Sequence, residues 1–429
     1  MANGAQITRY LKECAAAEGI DKKIKFHHHV KRAQWSTAAK TWTLDVTLRN
    51  PAGGAVDGED VGSVESITAT SRTLRTRFVL FGTGYYDYQE GLRADISGIQ
   101  NFQGTVVHPQ FWPADLDYVD KKVVIVGSGA TAVTLLPAIA DQAAHVTMLQ
   151  RSPSYIMSVP SEDAVEKTIR FLCPSGLAAR LIRFKWILVP FLLVSFCHRF
   201  PGAARRAMRS ATRKQLPPGT LLDPDFNPRY YPWEQRMCMC PDGDFYASLR
   251  SGKGSVKTGV IEEVTSTSIR LQSGEELPAD MIVTATGLKL CVGGGVELVV
   301  DGASFHIPDH FMWNGAMLEG LPNFVFAFGY VDASWTLGAD ATAQLTCRLL
   351  REMARRDVSM IVPRQSVRDK TRGLKEVPFL NLSSTYVREG KADVPKVGDQ
   401  APWRRRSYYW KDILVAWWGD VDTGLEWSK

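Results

Sequence analysis

No run of about twenty apolar residues, the length a helix needs to cross a bilayer, occurs in this 429-residue chain. The most apolar segment, Trp186 to Cys197, holds only about twelve residues and is flanked by Arg183, Lys185, His198 and Arg199. It reads as a buried helix, with a helix lying on a membrane surface as the alternative. Arg205, Arg209 and Arg213 follow at four-residue spacing, share one helical face and are expected to be solvated. The opening Met-Ala-Asn-Gly-Ala-Gln has neither a basic start nor an apolar stretch, so no secretory leader is expected. A cytoplasmic protein is the expectation, with membrane association left open. A disulfide framework is also missing, because seven cysteines is an odd number and they scatter without regular spacing from Cys14 to Cys347. Cys238 and Cys240 sit in a short apolar run and read as buried strand residues rather than a redox pair. A net charge of +6 is too mild to argue for nucleic acid, and there are no repeats or low-complexity tracts. His27, His28 and His29 read as strand neighbours on alternating faces, so no metal site is expected there.

What is present is an ordinary α/β composition, with 45% apolar residues for a sizeable core. Ile7 to Ala17 has helical spacing and Ile24 to Val30 reads as a strand. Trp42, Leu44, Val46 and Leu48 alternate with polar residues as in a half-buried strand. Asn50 to Ser63 reads as a loop, and Arg77 to Phe81 as a strand entering Gly82-Thr83-Gly84. Val123 to Val126 is a continuous apolar run, as expected of a parallel strand covered on both faces. Helical spacing follows to Ala140, then a strand from His145 to Leu149. Residues 160–225 are predicted to be a largely helical insertion. Strands resume between Ser255 and Thr286, and a helix covers Ala339 to Ala354. The stretch beyond Pro363 reads as loop-rich and packed over the surface.

The clearest motif is Gly127-Ser128-Gly129-Ala130-Thr131-Ala132, a GxGxxA turn between a strand and a helix. The first glycine allows the turn, the second lets backbone approach a pyrophosphate, and the small third residue lets helix pack on strand. The complete strand–turn–helix–strand context within about 30 residues marks a dinucleotide site. The second strand ends Leu149-Gln150-Arg151-Ser152, with no carboxylate for a ribose 2′-hydroxyl. Arg151 and Ser152 suit a 2′-phosphate instead, which favours NADP over NAD.

Directly ahead stands Phe102-Gln-Gly104-Thr-Val-Val-His108-Pro-Gln-Phe-Trp112-Pro113. Every specified position matches the FxGxxxHxxxWP fingerprint of type I Baeyer–Villiger monooxygenases, and the chain resembles that flavin-containing family. Gly127 to Pro137, Met148 to Tyr155, Tyr231 to Arg236, Thr284 to Gly287 and Gly329 to Thr336 resemble its bacterial ethionamide-activating branch.

The resemblance implies FAD and NADPH as cofactors and a two-stage reaction. NADPH reduces FAD, and dioxygen then forms a flavin peroxide that oxygenates a ketone or a sulfur compound. It places Arg236 where family members stabilise the anionic peroxide, and His108 where the fingerprint histidine couples domain movement to turnover. Gly82, Gly84, Gly287 and Trp335 would be flavin- or nucleotide-facing turns. The implied fold is α/β with two Rossmann-like dinucleotide-binding domains. Residues 1–112 would be the remainder of an FAD domain, 113–290 the NADP domain with its helical insertion, and 291–429 the return to the FAD domain. The family's own N-terminal GxGxxG unit has no counterpart ahead of Gly127, and Gly293-Gly294-Gly295 lacks the strand-to-helix context, so the first domain is expected to be N-terminally truncated. Two rivals remain: a non-catalytic NADP-binding relative, and an S- or N-oxygenase without Baeyer–Villiger activity.

Overall fold

Valine and isoleucine over Val123–Val126 shape the middle of a five-stranded parallel sheet. In the computed structural model, which describes residues 4–48, 70–331, 333–366, 373–382, 384–406 and 408–429, these four are at most 9% exposed. The expected Asn50–Ser63 loop lies outside the described residues. The chain divides into two units. One holds Glu90–Leu288 with Met1–Arg9 and Leu382–Tyr386, and the other holds Tyr10–Gln89, Lys289–Asn381 and Val387–Lys429.

In the second unit, helix α1 (Gly4–Ala17), which begins in the first, leads to strands β1 (His28–Ser36), β2 (Thr41–Leu48) and β3 (Thr70–Thr76). The strand expected over Ile24–Val30 starts only at His28. Residues Asp21–Lys23 form a 3-10 turn and His27 has a positive φ of 58°, so the extended path begins one residue later. Trp35 and Trp42 pair directly across β1 and β2 and are fully buried, their rings 5.5 Å apart. Strand Glu297–Val300 joins β1 in parallel. β4 (Val79–Phe81) pairs in parallel with Phe324–Phe326. Gly293, Gly294 and Gly295 all have positive φ and turn the chain toward Glu297–Val300, not into a helix.

The first unit contains β5 (Thr105–Val107), β6 (Lys122–Val126), helix α2 (Ala130–Ala140) and β7 (His145–Gln150). After β8 (Ile156–Val159) come helices α3 (Ala164–Leu172), α4 (Ser175–Arg199) and α5 (Pro201–Gln215), the expected insertion. β9 (Cys238–Pro241), α6 (Asp244–Arg250), β10 (Gly254–Thr258), an antiparallel meander over 261–278 and β11 (Met281–Thr284) follow. The parallel order is β10-β7-β6-β11-β5. The chain runs from β6 through α2 to β7 and β10 on one side, while β11 and β5 lie on the other, so the strand order reverses at β6, where such sheets bind their ligands at the carboxyl ends of the strands. β5 pairs with β11, so the whole fingerprint belongs to this unit, whose main segment runs from Glu90 to Leu288.

The apolar segment Trp186–Cys197 is not a buried helix. It lies in α4, where only Ala178, Ile182, Val194 and Cys197 are buried. The arginines of α5 are not simply solvated either. Arg205 is half-buried and donates to the Pro228 carbonyl at 2.9 Å, and Arg209 lines a small cavity beside Ser154 and Tyr155. The stretch beyond Pro363 also departs from expectation. It contains a helix over Tyr409–Trp418 and a strand Leu425–Ser428 paired with Met360–Pro363. Trp403, Ala416, Val421 and Leu425 enter the core beside Trp313 and Leu349, so this segment completes the second unit's interior.

Candidate functional site

The GxGxxA turn joins β6 to α2 as expected. Gly127 has φ +141°, and a β-carbon there would come within 2.2 Å of the Ala285 carbonyl oxygen at the end of β11. Only glycine fits that approach. Gly129 caps α2, and a β-carbon on it would meet nothing within 4 Å. Gly129, Ala130 and Thr131 are exposed, while Ala132 is fully buried against the sheet. The free N–H groups of the first turn of α2 therefore face open space, the arrangement that receives a pyrophosphate.

The turn is held by Ser128, one of the expected site residues, together with Ser154, Cys238 and Gln150, which were not expected there. Ser128 Oγ donates to the Ser152 carbonyl at 3.2 Å and accepts from Ser154 Oγ at 3.0 Å. The Cys238 thiol lies 3.7 Å from the Ser128 carbonyl. Burial pushes that thiol up to about 12, and Cys240 is buried as well, so the pair packs as a small apolar wedge. Gln150 is buried and its amide donates to the Asp225 carbonyl at 2.7 Å and to Thr258 Oγ1 at 2.9 Å. With Gln150 fixed inward, Arg151 and Ser152 point out to solvent. Arg151 donates to Thr385 Oγ1 at 2.9 Å, within the same unit. The two serines of Ser152-Pro153-Ser154, directly after β7, were the available signal for this network.

The fingerprint residues pack within the first unit. Phe102 anchors the segment in the apolar layer with Val124, Leu149 and Ile282. A β-carbon on Gly104 would lie 2.3 Å from the Asp280 carbonyl oxygen. Trp112 packs against the core beside α2, its ring 6.1 Å from Tyr118, and the Pro113 carbonyl accepts from Leu116 N at 3.3 Å. His108 lies flat against Gly91, where a β-carbon would sit 2.6 Å from its ring. Its Nδ1 accepts from Gln110 N at 3.3 Å. Burial lowers its pKa, and the backbone of Gly287 opposes that shift, so the imidazole is neutral near pH 7. Gly287 has φ +127° and packs on Leu92 and Tyr386, which accounts for the glycine without a ligand.

Arg236 stands in the loop just before β9, two residues from Cys238. It is exposed and has no hydrogen-bond or ion-pair partner among the described residues. Trp233, earlier in the same loop, has a positive φ of 73°.

Gly84 and Trp335 belong to the second unit. Gly84 turns with φ +71°. Trp335 opens a helix over Trp335–Arg355, four residues earlier than the sequence pattern suggests, and its ring stacks on Tyr85 at 4.6 Å. Gly338 lets this helix approach the Phe328 carbonyl. Asp332, inside the motif Gly329–Thr336, lies outside the described residues.

No protein-family model matches the chain. It is, however, 39% identical over 431 residues to the FAD-containing monooxygenase EthA of Mycobacterium tuberculosis, covering 100% of this chain and 83% of that protein. The chain belongs to the FAD-containing monooxygenases.

Another member, the probable FAD-binding monooxygenase AlmA of Acinetobacter baylyi, is 37% identical over 96% of this chain and 78% of its own length. Among solved structures, a polycyclic ketone monooxygenase from Thermothelomyces thermophila matches with a TM-score of 0.70 at 16% identity, over 100% of this chain and 78% of that one. OTEMO in complex with FAD and NADP matches with a TM-score of 0.69 at 17% identity, over 100% of this chain and 85% of that one. These likenesses establish the α/β fold of this monooxygenase.

Proposed function

We propose that this chain is an FAD- and NADPH-dependent monooxygenase that inserts one oxygen atom from dioxygen into ketones or oxygenates sulfur compounds. The observation that carries the proposal is Arg236: a permanently charged side chain, exposed and unpartnered, in the loop leading to the strand whose Cys238 rests on the dinucleotide turn. An unpaired guanidinium next to a reaction centre stabilises developing negative charge without first breaking an ion pair.

The residues of the first unit fit NADP. The open space at Gly129 and the N–H groups of α2 would hold the pyrophosphate, and Arg151 with Ser152 the 2′-phosphate. For FAD, the second unit offers the turns at Gly82 and Gly84 and the start of the Trp335 helix, with open space at Gly82. Bound FAD, once reduced, supplies the oxygen-activating chemistry. The chain's own part is to bind, orient and balance charge. Gln150 and Ser128 fix the turn on which NADP is read, His108 stays uncharged against Gly91, and Arg236 contributes a positive charge.

The test is the visible spectrum of the purified chain with and without added FAD. A flavin band that bleaches with NADPH under argon and returns in air, with an ester from a ketone or a sulfoxide from a sulfide, supports the proposal. NADPH binding without flavin binding would instead establish the non-catalytic relative. Sulfoxide without any ester would select an S-oxygenase.

A further inference from the structure

We propose that the helical insertion docks this protein onto an anionic lipid bilayer, with α4 lying along the membrane surface. The inference does not depend on the reaction proposed above. Leu177, Leu181, Phe184, Leu188 and Leu192 recur at three- and four-residue intervals and fall on one side of α4. All five are exposed, Phe184 by 62% and Leu192 by 54%. The stripe runs for about 22 Å at the rise of an α-helix. Where α3 ends, just before α4 begins, Phe171 is 88% exposed and Leu172 is 69% exposed. A contiguous apolar surface of this length is a docking face rather than scattered surface leucines.

The charge around it identifies the occupant. From Ser175 to Gln215, through α4 and α5, there are nine lysines and arginines and not one aspartate or glutamate. At the start of α3 the acidic groups are already paired: Asp163, its N-cap, with Lys185, Glu166 with Arg170, and Glu162 just ahead with Lys167. Basic residues beside an apolar helix face match a surface that is negative outside and apolar just beneath, as an anionic leaflet is. A second copy fits poorly, because a two-fold contact would set this acid-free basic face against itself. A nucleic acid would use the cations but leave the leucine stripe uncovered. Among the described residues no helix is long and apolar enough to cross the membrane, so the contact is peripheral.

The test is co-sedimentation of the full chain with phosphatidylcholine vesicles, and with vesicles carrying about one-third phosphatidylglycerol, at low and high salt. Two double variants are compared with wild type: Phe184→Ser with Leu188→Ser, and Arg206→Glu with Arg213→Glu. All four positions are exposed, and circular dichroism checks that each variant is folded. Wild type should bind the anionic vesicles at least about ten-fold more tightly than the neutral ones, more weakly at high salt, and each variant should lose about ten-fold. No partition onto anionic vesicles would overturn the proposal. So would equal binding to both vesicle types, or a dimer in light scattering that the serine variant splits while neither vesicle binds.

Discussion

A β-carbon on Gly127 would lie 2.2 Å from the carbonyl oxygen of Ala285. The ends of β6 and β11 thus meet at the crevice where the sheet order reverses, and the absence of a side chain brings them together. Gly127→Ala combines a backbone collision with a φ of +141°, and should destabilise the protein by about 1–3 kcal/mol. Gly129→Ala has room for its methyl group and should leave the urea midpoint within about 0.5 kcal/mol of wild type. It should nevertheless weaken NADP+ binding on the order of ten-fold, because the methyl group enters the space a pyrophosphate would take. Unfolding curves and calorimetric titration of both variants separate the two roles.

Arg151→Ala should cost about 1.5–3 kcal/mol in NADP+ affinity, the range for hydrogen bonds to charged groups. NAD+ affinity should hardly change. If both affinities fall together, Arg151 is not reading the 2′-phosphate.

Arg236→Ala should reduce turnover on the order of a hundred-fold or more, with the thermal midpoint unchanged, since the side chain has no partner to lose. Arg236→Lys should recover only part of the activity, because an ammonium lacks the planar fork of donors. A large fall in thermal midpoint with Arg236→Ala would show a structural role instead.

The pH dependence of stability has a defined sign at His108. Its folded pKa is lowered by burial, so between the folded value and the ordinary value near 6.5 the unfolded chain binds more protons. Stability contributed by this neutral imidazole is intact above about pH 6.5 and is lost as pH falls through that window. His108→Gln, whose side-chain oxygen can still accept from Gln110 N, should show a smaller drop in urea midpoint between about pH 7 and pH 5.5. An unchanged drop would place the acid sensitivity elsewhere, for instance at His310, whose pKa burial also lowers.

In the second unit, Arg406 is buried and donates to the carbonyls of Phe328 and Gly338, with Asp412 4.0 Å from its Nε. Tyr330 donates to the same Asp412 carboxylate at 2.7 Å. Burial raises the Asp412 pKa and lowers that of Arg406, and each charge draws the other back. Asp412→Ala leaves the guanidinium uncompensated and should cost roughly 3–5 kcal/mol, read from chemical denaturation. Replacing both residues by apolar ones of similar volume should cost much less.

The sequence by itself determined the parts governed by local rules. The apolar run Val123–Val126, the glycines at 127 and 129 and the strand ending at Gln150 specify a strand–turn–helix–strand unit from neighbouring residues alone. The fingerprint from Phe102 to Pro113 likewise carried the family. Tertiary structure decided what depends on packing between distant segments. Trp186–Cys197 has the composition of a core helix, and only the placement of its neighbours leaves the leucine stripe uncovered. Ala416, on the helix Tyr409–Trp418, enters the core because Trp313, Leu349 and Trp403 gather there from separate parts of the chain. The roles of Ser128 and Ser154 also emerge only when the turn folds back on the end of β7, since a hydroxyl has no preferred partner until the backbone presents one.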